Sequence, residues 1–359
     1  MTDPSQAKQP AAASLRRKVT LAFLAGLLAL LACEISLQLT EQPATTIRFQ
    51  QDVGELDQLG MKRLASIVEN DNELFWELTP NTTLSRSGGG PFFGVIANNQ
   101  GLREDHAISS TVPADGLRVL FLGDSCTFGY GLDHTEGYVD IAEQQLNKRL
   151  NTKSVECINA GVPGYTLFQG WQRWRNQGNS LQADFVVVCF GGNDMSSWDN
   201  KTDQQHYEHL QRTDPPGLLR HSALGRRAWA TFHSMEVGPA QPKPRVPPGD
   251  FQQLLGQLHA SIQAHDARMV ILVWPFLFQV EKARDRRTPW QEAMVSFAAQ
   301  HGVLLLDLVP LFHKLADEHG AQALYLDQGH ATALGNRATG NRVAEFLEQK
   351  VVNMPAGQP

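Results

Sequence analysis

The sequence predicts an α/β fold built on a parallel sheet of five strands with helices on both faces. Short apolar runs recur from residue 118 onward, at 118–123, 155–161, 184–192, 268–275 and 303–308. Helix-like segments lie between or after them, at 137–150, 166–181, 251–265, 289–301 and 332–351. Apolar runs that alternate with amphipathic helices are typical of βαβ units, whose parallel sheets are buried on both faces.

The composition is that of a globular protein and argues against a nucleic-acid partner. The chain has 359 residues, 42% hydrophobic and 19% charged, with a formal net charge of -6. Binding to phosphate backbones requires a concentrated basic surface, which this balance does not provide. Three of the four cysteines, Cys126, Cys157 and Cys189, lie in or beside apolar runs, and no CxxC pair occurs. We therefore expect free thiols rather than a disulfide framework.

The N-terminal region carries an export signal. Three basic residues, 16–18, precede an uncharged run at 19–33, and the apolar character continues through residue 39 apart from Glu34. Basic residues before such a run place residues 1–18 in the cytoplasm as a tail. Residues 19–39 are a retained signal anchor, a cleaved signal peptide, or the leader of a lipidated Cys33, since residues 30–33 resemble a bacterial lipobox. All three interpretations predict an extracytoplasmic protein, and the first and third tether it to the membrane.

Two segments fall outside the α/β alternation. Residues 40–116 read as a small accessory segment with a helix near 57–69, loop signals at 79–81 and 87–91, and a strand followed by a turn at 92–103. A second segment, at about 195–250, interrupts the alternation directly after a strand. Long connections in compact domains are often binding inserts, and open α/β sheets bind ligands at the carboxyl ends of their strands. We expect this second segment to be a lid or a substrate-binding insert.

The stretch VLFLGDSCTFGYG, residues 119–131, raises the question of phosphate binding or nucleophilic catalysis. The Walker loop requires a lysine that is missing here, and the dinucleotide fingerprint requires another glycine spacing. The nucleophile elbow of α/β-hydrolases requires a glycine where Thr127 stands. What remains is a serine at the end of a strand, Ser125, which is either a nucleophile or a helix N-cap.

Three further segments favour the nucleophile. The second predicted strand ends in residues 159–164 (NAGVPG), and the third ends in residues 191–194 (GGND). Residues 326–330 (LDQGH) open the last helix. Parallel strands bring their carboxyl ends to one crevice. There they would combine a nucleophile, a backbone N–H, an amide and an Asp/His pair, which together suit acyl transfer through a tetrahedral intermediate.

With these motifs the sequence resembles the SGNH/GDSL hydrolase superfamily, and most closely its membrane-anchored bacterial members. The four blocks occur in order as residues 123–125 (GDS), Gly161, Asn193, and Asp327 with His330. The resemblance covers about 117–351. It implies a three-layer α/β/α sandwich with a flavodoxin-like strand order, the SGNH hydrolase fold, in a hydrolase domain at 117–352.

The resemblance also implies roles for the site residues. Ser125 would be the nucleophile, His330 the general base and acid, and Asp327 the group that holds the imidazole. The N–H groups of Ser125 and Gly161 and the side-chain amide of Asn193 would form the oxyanion hole. We expect no metal or organic cofactor in this mechanism.

Residues outside these blocks give weaker expectations. Trp198 is a candidate substrate contact or a packing residue, and Arg245 is a candidate contact for an anionic substrate, with a surface arginine as the favoured interpretation. His206 and His209 have a spacing compatible with a metal, but no third ligand is spaced convincingly. A solvated lid segment is the favoured interpretation of these histidines.

These observations together predict a serine esterase that hydrolyses ester-linked acyl groups outside the cytoplasm. A small-molecule or glycan ester is the expected partner, and O-acetyl esters of a carbohydrate are the first choice of substrate. Hydrolysis of lipid or lysophospholipid esters is the second choice within the same class. Two hypotheses from outside this class compete with it: an O-acyltransferase with the same triad, and a non-catalytic binding protein with the same fold.

Overall fold

The computed structural model describes ten stretches of the chain: 11–40, 66–71, 73–85, 94–112, 116–152, 154–197, 200–213, 215–232, 241–281 and 286–352. The chain forms two compact units. The anchor unit comprises residues 1–43 and 208–238, and the sheet unit comprises 44–207 and 239–359.

Two short antiparallel pairs precede the central sheet. β1 (Val68–Asp71) pairs with β2 (Phe75–Leu78), and β3 (Thr83–Leu84) pairs with β4 (Val95–Ile96). The predicted helix near 57–69 is wrong at its carboxyl end, because Val68 pairs with Leu78 across the β1–β2 ladder. Residues 57–65 of that prediction and the loop at 87–91 lie outside the described residues. The strand and turn predicted within 92–103 are confirmed in its described part, 94–103.

The central sheet has five parallel strands. They are β5 (Leu117–Gly123), β6 (Val155–Asn159), β7 (Phe185–Cys189), β8 (Arg268–Val273) and β9 (Leu304–Asp307). Their order is β6-β5-β7-β8-β9, with parallel pairing throughout. The first strand of the sheet thus lies between the second and the third, which confirms the predicted flavodoxin-like order.

The helices agree with the predicted helical segments, and the structure contains several further helices. The described helices are α1 (Ala11–Thr40), α2 (Ser125–Phe128), α3 (Tyr138–Arg149), α4 (Leu167–Asn176), α5 (Asp203–Thr213), α6 (Ala223–Phe232), α7 (Pro248–Ala264), α8 (Leu277–Glu281), α9 (Pro289–His301), α10 (Val309–His319) and α11 (Ala333–Val352). Local sequence explains the bounds of α9. Thr288 caps its start by accepting the N–H of Gln291, Pro289 occupies the first turn, and Gly302 ends the helix at φ 66°.

The anchor unit contains α1 and α6. Within α1, the 26-residue span Leu15–Thr40 contains an 18-residue window with a mean hydropathy of 2.1 and no buried residues. By length and composition it is able to cross a membrane, as a signal anchor would, although a signal sequence passes the same test. The predicted segment 19–39 lies inside it.

In the sheet unit, α11 packs against α3 through a glycine. A Cβ added at Gly340 would lie 2.6 Å from Ile141 Cγ2 and 2.8 Å from the Tyr138 carbonyl oxygen. The amide of Asn336 on α11 also accepts the N–H of Tyr138 at 3.2 Å. This contact fixes the start of α11, and with it the preceding loop, against the core.

We predict that Gly340→Ala lowers the free energy of unfolding by about 1–3 kcal/mol, because the methyl group has no space between the two helices. Gly256→Ala in α7 is the matched control. A Cβ there meets nothing closer than 3.9 Å, so it should raise the free energy of unfolding by ~0.4–1 kcal/mol. Urea denaturation of the full chain in detergent measures both. Equal changes in the free energy of unfolding of the two variants would contradict the close packing of α11 against α3 at Gly340.

Candidate active site

Ser125 lies at the carboxyl end of the central strand, where the chain turns sharply. β5 lies between β6 and β7, at the point where the strand order reverses and open α/β sheets bind their ligands. Gly123 must be a glycine, since a Cβ would lie 2.0 Å from Thr127 Oγ1. Asp124 then caps the one-turn helix α2 by accepting the N–H of Cys126 at 2.9 Å. Ser125 is therefore the first residue of α2.

The predicted serine, histidine and aspartate form one continuous hydrogen-bonded chain. Ser125 Oγ lies 2.7 Å from His330 Nε2, and His330 Nδ1 lies 2.6 Å from Asp327 Oδ2. With the Nδ1 proton donated to the carboxylate, Nε2 is the acceptor for the serine hydroxyl. This is the arrangement that activates a serine for attack on a carbonyl carbon.

The loop that carries Asp327 and His330 is closed and held from several sides. Tyr325 and Ala331 form an antiparallel bridge, and the Leu326 N–H donates to the His330 carbonyl at 2.7 Å. The indole N–H of Trp274, just beyond β8, donates to the Gly329 carbonyl at 2.8 Å. These bonds fix the loop opposite Ser125 before any substrate binds.

Asp327 is held in its charged form. Burial by itself raises the pKa of this carboxyl group, but hydrogen bonds from the His330 ring and from the N–H groups of His330 and Gly329 outweigh it. The net effect lowers the pKa to about 2. A carboxylate therefore faces the imidazole at any pH at which the protein is active.

Asp124, next to the serine, has a different environment. Burial raises the pKa of its carboxyl group above the ordinary value, against the hydrogen bond from Cys126. Its Oδ2 lies 3.4 Å from the side-chain amide nitrogen of Asn193. These contacts brace the turn and agree with a structural role for Asp124.

The three predicted oxyanion donors differ in their positions. The Ser125 N–H has no acceptor among the described residues, as expected at the start of a helix. The Asn193 side chain lines the same cavity as Ser125 and donates to the Tyr165 carbonyl at 2.9 Å. Gly161 is not part of that cavity's lining, and its N–H donates to Asn159 Oδ1 at 3.0 Å.

Gly161 has a packing role in the structure. A Cβ at this position would lie 2.4 Å from the Phe128 nitrogen, so the glycine allows α2 to approach the end of β6. Gly164, three residues later, is likewise not part of that cavity's lining. Its φ of 81° requires a glycine, and its N–H has no acceptor among the described residues. The Pro163-Gly164 pair is a turn signal that would have drawn attention to it.

The turn at residues 163–165 is held by buried hydrogen bonds from three directions. The Trp76 indole N–H on β2 donates to the Pro163 carbonyl at 3.0 Å, and the Tyr165 hydroxyl donates to the Trp76 carbonyl at 2.6 Å. Arg245 Nη1 donates to the Gly164 carbonyl at 2.7 Å. With the bond from Asn193, these contacts fix every carbonyl of the turn.

Arg245 is therefore not the exposed substrate contact that the sequence predicted. Its side chain is 1% exposed, and Nε and Nη2 each donate to the Asp203 carboxylate at 3.1 Å. Thr166 Oγ1 donates to the same carboxylate at 2.6 Å. An anionic substrate cannot reach a guanidinium that is buried and bonded in this way. Trp198, the second predicted contact, lies outside the described residues.

The cavity beside Ser125 has a volume of about 320 Å³. Its apolar wall consists of five side chains: Phe190, Met195, Trp274, Phe276 and Phe278. The rings of Phe276 and Phe278 stack at 6.0 Å. Ser125, Asn193 and His330 form the polar side. The arrangement offers an apolar surface next to the Ser125 hydroxyl.

The insert histidines do not form a metal site in the part of the chain that the structure describes. No group of three or more His, Cys, Asp or Glu side chains there is placed to hold a metal ion. His206 is buried, which differs from the solvated position that the sequence suggested.

Comparison with known proteins identifies the family. Residues 121–338, more than half of the chain, match the GDSL-like lipase/acylhydrolase family. The chain belongs to this family of GDSL/SGNH hydrolases and is an ester hydrolase. A search of curated proteins finds no significant match.

Three solved structures illustrate the similarity. An α/β hydrolase from the metagenome of Lake Arreo, Spain, is 20% identical, with a TM-score of 0.47 over 66% of this chain and 97% of that one. A lipolytic protein of the G-D-S-L family from Desulfitobacterium hafniense is 14% identical (TM-score 0.42; 64% and 99%). An acetylxylan esterase from Geobacillus stearothermophilus is 16% identical (TM-score 0.45; 68% and 98%). The family assignment rests on the family match alone.

We predict that Arg245→Met destabilises the protein by about 3–5 kcal/mol, because it leaves the fully buried Asp203 carboxylate without its counter-charge. The double variant Arg245→Met with Asp203→Leu should recover much of that loss, since no charge then remains buried. Chemical denaturation of the full chain measures both. If the double variant were no more stable than Arg245→Met, charge pairing would not be what the arginine contributes.

Proposed function

We propose that this ester hydrolase is a serine esterase in which Ser125, His330 and Asp327 are the catalytic residues. The observation that carries the proposal is the hydrogen-bonded chain from Ser125 Oγ through His330 to Asp327, with distances of 2.7 and 2.6 Å. The open cavity beside Ser125 supports it, because a substrate carbonyl is able to reach the hydroxyl there.

The reaction proceeds in two balanced halves. Ser125 Oγ attacks the ester carbonyl carbon while His330 Nε2 takes the hydroxyl proton. The tetrahedral intermediate then breaks the bond to the alcohol, which leaves with the proton from His330. In the second half His330 takes a proton from water as the water oxygen attacks the acyl carbon. The bond to Ser125 Oγ then breaks, Ser125 takes the proton back from His330, and the carboxylic acid is released. Asp327 stays ionised and stabilises the imidazolium in both halves.

The negative charge on the intermediate is stabilised by the Ser125 N–H, the Asn193 amide and an N–H from the segment 161–164. Gly161 is the expected donor in that segment, and Gly164, whose N–H has no acceptor among the described residues, is the alternative. Removal of one such donor typically costs about 10²–10³ in rate. The buried hydrogen bonds to the turn at 163–165 hold this segment in place.

The preferred substrate class is an O-acetyl ester of a carbohydrate. The cavity supports this choice by combining an apolar wall, suited to a methyl group, with polar groups at Asn193 and Gln328, suited to hydroxyls. A lipid or lysophospholipid ester is the second candidate, favoured by the five apolar side chains of the wall and by the apolar helix α1.

The domain organisation and location belong to the same proposal. Residues 117–352 form the hydrolase domain, 40–116 the accessory segment, and about 195–250 the lid-like insert. α1 crosses the membrane and holds the hydrolase domain on the extracytoplasmic side, with residues 1–18 in the cytoplasm. The apolar length of Leu15–Thr40 supports this topology, and so does the basic cluster at its start.

We predict that p-nitrophenyl esters are hydrolysed fastest with acyl chains of two to four carbons, and that acetate is released from acetylated oligosaccharides. Ser125→Ala should lower kcat by at least about 10³-fold with an unchanged melting temperature, because only the nucleophile is lost. Cys126→Ser, the neighbouring residue, is the matched control and should retain activity.

Initial rates over acyl chain length, together with acetate release from the glycans, check this prediction. If the initial rate were highest with acyl chains of eight or more carbons and lysophospholipid were hydrolysed, a lipid ester rather than a carbohydrate ester would be the substrate. Equal rates for the wild type and Ser125→Ala would overturn the proposed mechanism.

A further inference from the structure

An acidic residue interrupts the apolar helix α1. Glu34 is the only acidic residue of the 26-residue apolar stretch, and it lies six residues before the end of the helix. At 1.5 Å per residue this is about 9 Å from that end. A carboxylate in such a segment is costly unless polar groups satisfy it.

The start of α6 provides those groups. The Glu34 carboxylate accepts the N–H of Ala223 at 2.6 Å, the N–H of Leu224 at 3.0 Å and the hydroxyl of Ser222 at 2.9 Å. Ser222 Oγ in turn accepts the N–H of Gly225 at 3.0 Å. Glu34 thus caps α6 from another helix, where the positive end of the helix dipole favours a negative charge. These bonds fasten α6 to α1.

The position of Glu34 along α1 sets the depth of α6. Lys18 and Glu34 are 16 positions apart, which corresponds to about 24 Å along a helix. The hydrocarbon core of a bilayer is ~30 Å thick. With Lys18 at the cytoplasmic boundary of the hydrocarbon core, Glu34 and the start of α6 lie within about 6 Å of the opposite boundary.

The segment around α6 exposes large apolar side chains at that boundary. Leu218 is 88% exposed, Leu219 is 43% exposed and Phe232 is 85% exposed. A Cβ on Gly225 would lie 2.7 Å from the Leu219 carbonyl oxygen, so the turn at Gly217–His221 folds closely onto α6. Arg227 is exposed on the same helix. Exposed leucine and phenylalanine beside arginine are typical of segments that lie in a membrane interface.

We propose that residues 215–232 lie in the extracytoplasmic headgroup region of the membrane that α1 crosses. Leu218, Leu219 and Phe232 contact the acyl chains, and Arg227 faces lipid phosphates. The occupant of this surface is the phospholipid bilayer, because Glu34 fastens the start of α6 to the apolar helix α1. The inference rests on the proposed membrane anchor. It implies that the lid-like insert is attached to the membrane through its middle.

Depth measurements on the full chain test the inference. The chain is reconstituted in vesicles of phosphatidylcholine and phosphatidylglycerol, and nitroxide labels are attached through Leu218→Cys or Phe232→Cys in a Cys33→Ser background. Lys314→Cys on α10, where the lysine side chain is 75% exposed, is the matched control. Collision rates with oxygen and with a water-soluble nickel chelate should place the labels at 218 and 232 about 5–10 Å below the headgroup boundary. The label at 314 should lie in water.

Glu34→Ala tests the attachment itself, with Ser36→Ala on the same helix as its control. Glu34→Ala should move the label at 232 toward water and speed amide exchange at Ala223 and Leu224, while Ser36→Ala changes neither. Retained turnover of a soluble ester shows that the variants are folded.

Carbonate extraction separates the possible failures. If carbonate releases the wild-type chain from the vesicles, the proposed anchor fails and this inference fails with it. If the chain stays in the membrane but the labels at 218 and 232 are as water-accessible as the label at 314, only this inference is overturned. Labels shielded from both reagents would indicate a protein partner and overturn it as well. Unchanged depth in Glu34→Ala would overturn the role of Glu34.

Discussion

The parallel pairing of β5 with β6 on one side and with β7 on the opposite side is the constraint on which the site depends. It brings three strand ends to one edge of the sheet, where Ser125, the 159–164 segment and Asn193 follow in turn. These groups are far apart in the sequence, so local structure alone does not bring them together. Only the sheet order places the serine against a histidine 205 positions away in the sequence.

A second layer of contacts holds these strand ends rigid. The turn at 163–165 receives hydrogen bonds from the accessory hairpin through Trp76, from the insert through Arg245, and from Asn193. Segments that lie outside the α/β alternation thereby support the groups proposed to stabilise the intermediate. Preorganised donors are effective because they need not reorient as charge develops. This gives residues 40–116 and the end of the insert a physical connection to catalysis.

Much of this was predictable, because the signals are local or periodic. Apolar runs predict the buried strands, and cap residues predict the bounds of α9. Short motifs predict the serine, the histidine and the aspartate. What the sequence could not reveal depends on distant partners. Arg245 looks like a surface residue until Asp203 is placed beside it. Only the folded chain shows that the Gly161 N–H is bonded to Asn159 while the Gly164 N–H has no acceptor among the described residues. Glu34 reads as the end of an apolar run, and only α6 shows what it binds.

The central claim is that Ser125 is the nucleophile of this ester hydrolase. A fluorophosphonate reacts with a serine only when a neighbouring base activates it, so the site of labelling reports the nucleophile directly. The full chain is treated with the reagent, digested, and the modified residue is identified by mass spectrometry. We expect a single adduct on Ser125 and complete loss of ester hydrolysis at one label per chain. An adduct on another residue, or full hydrolytic activity after Ser125 has been modified, would contradict it.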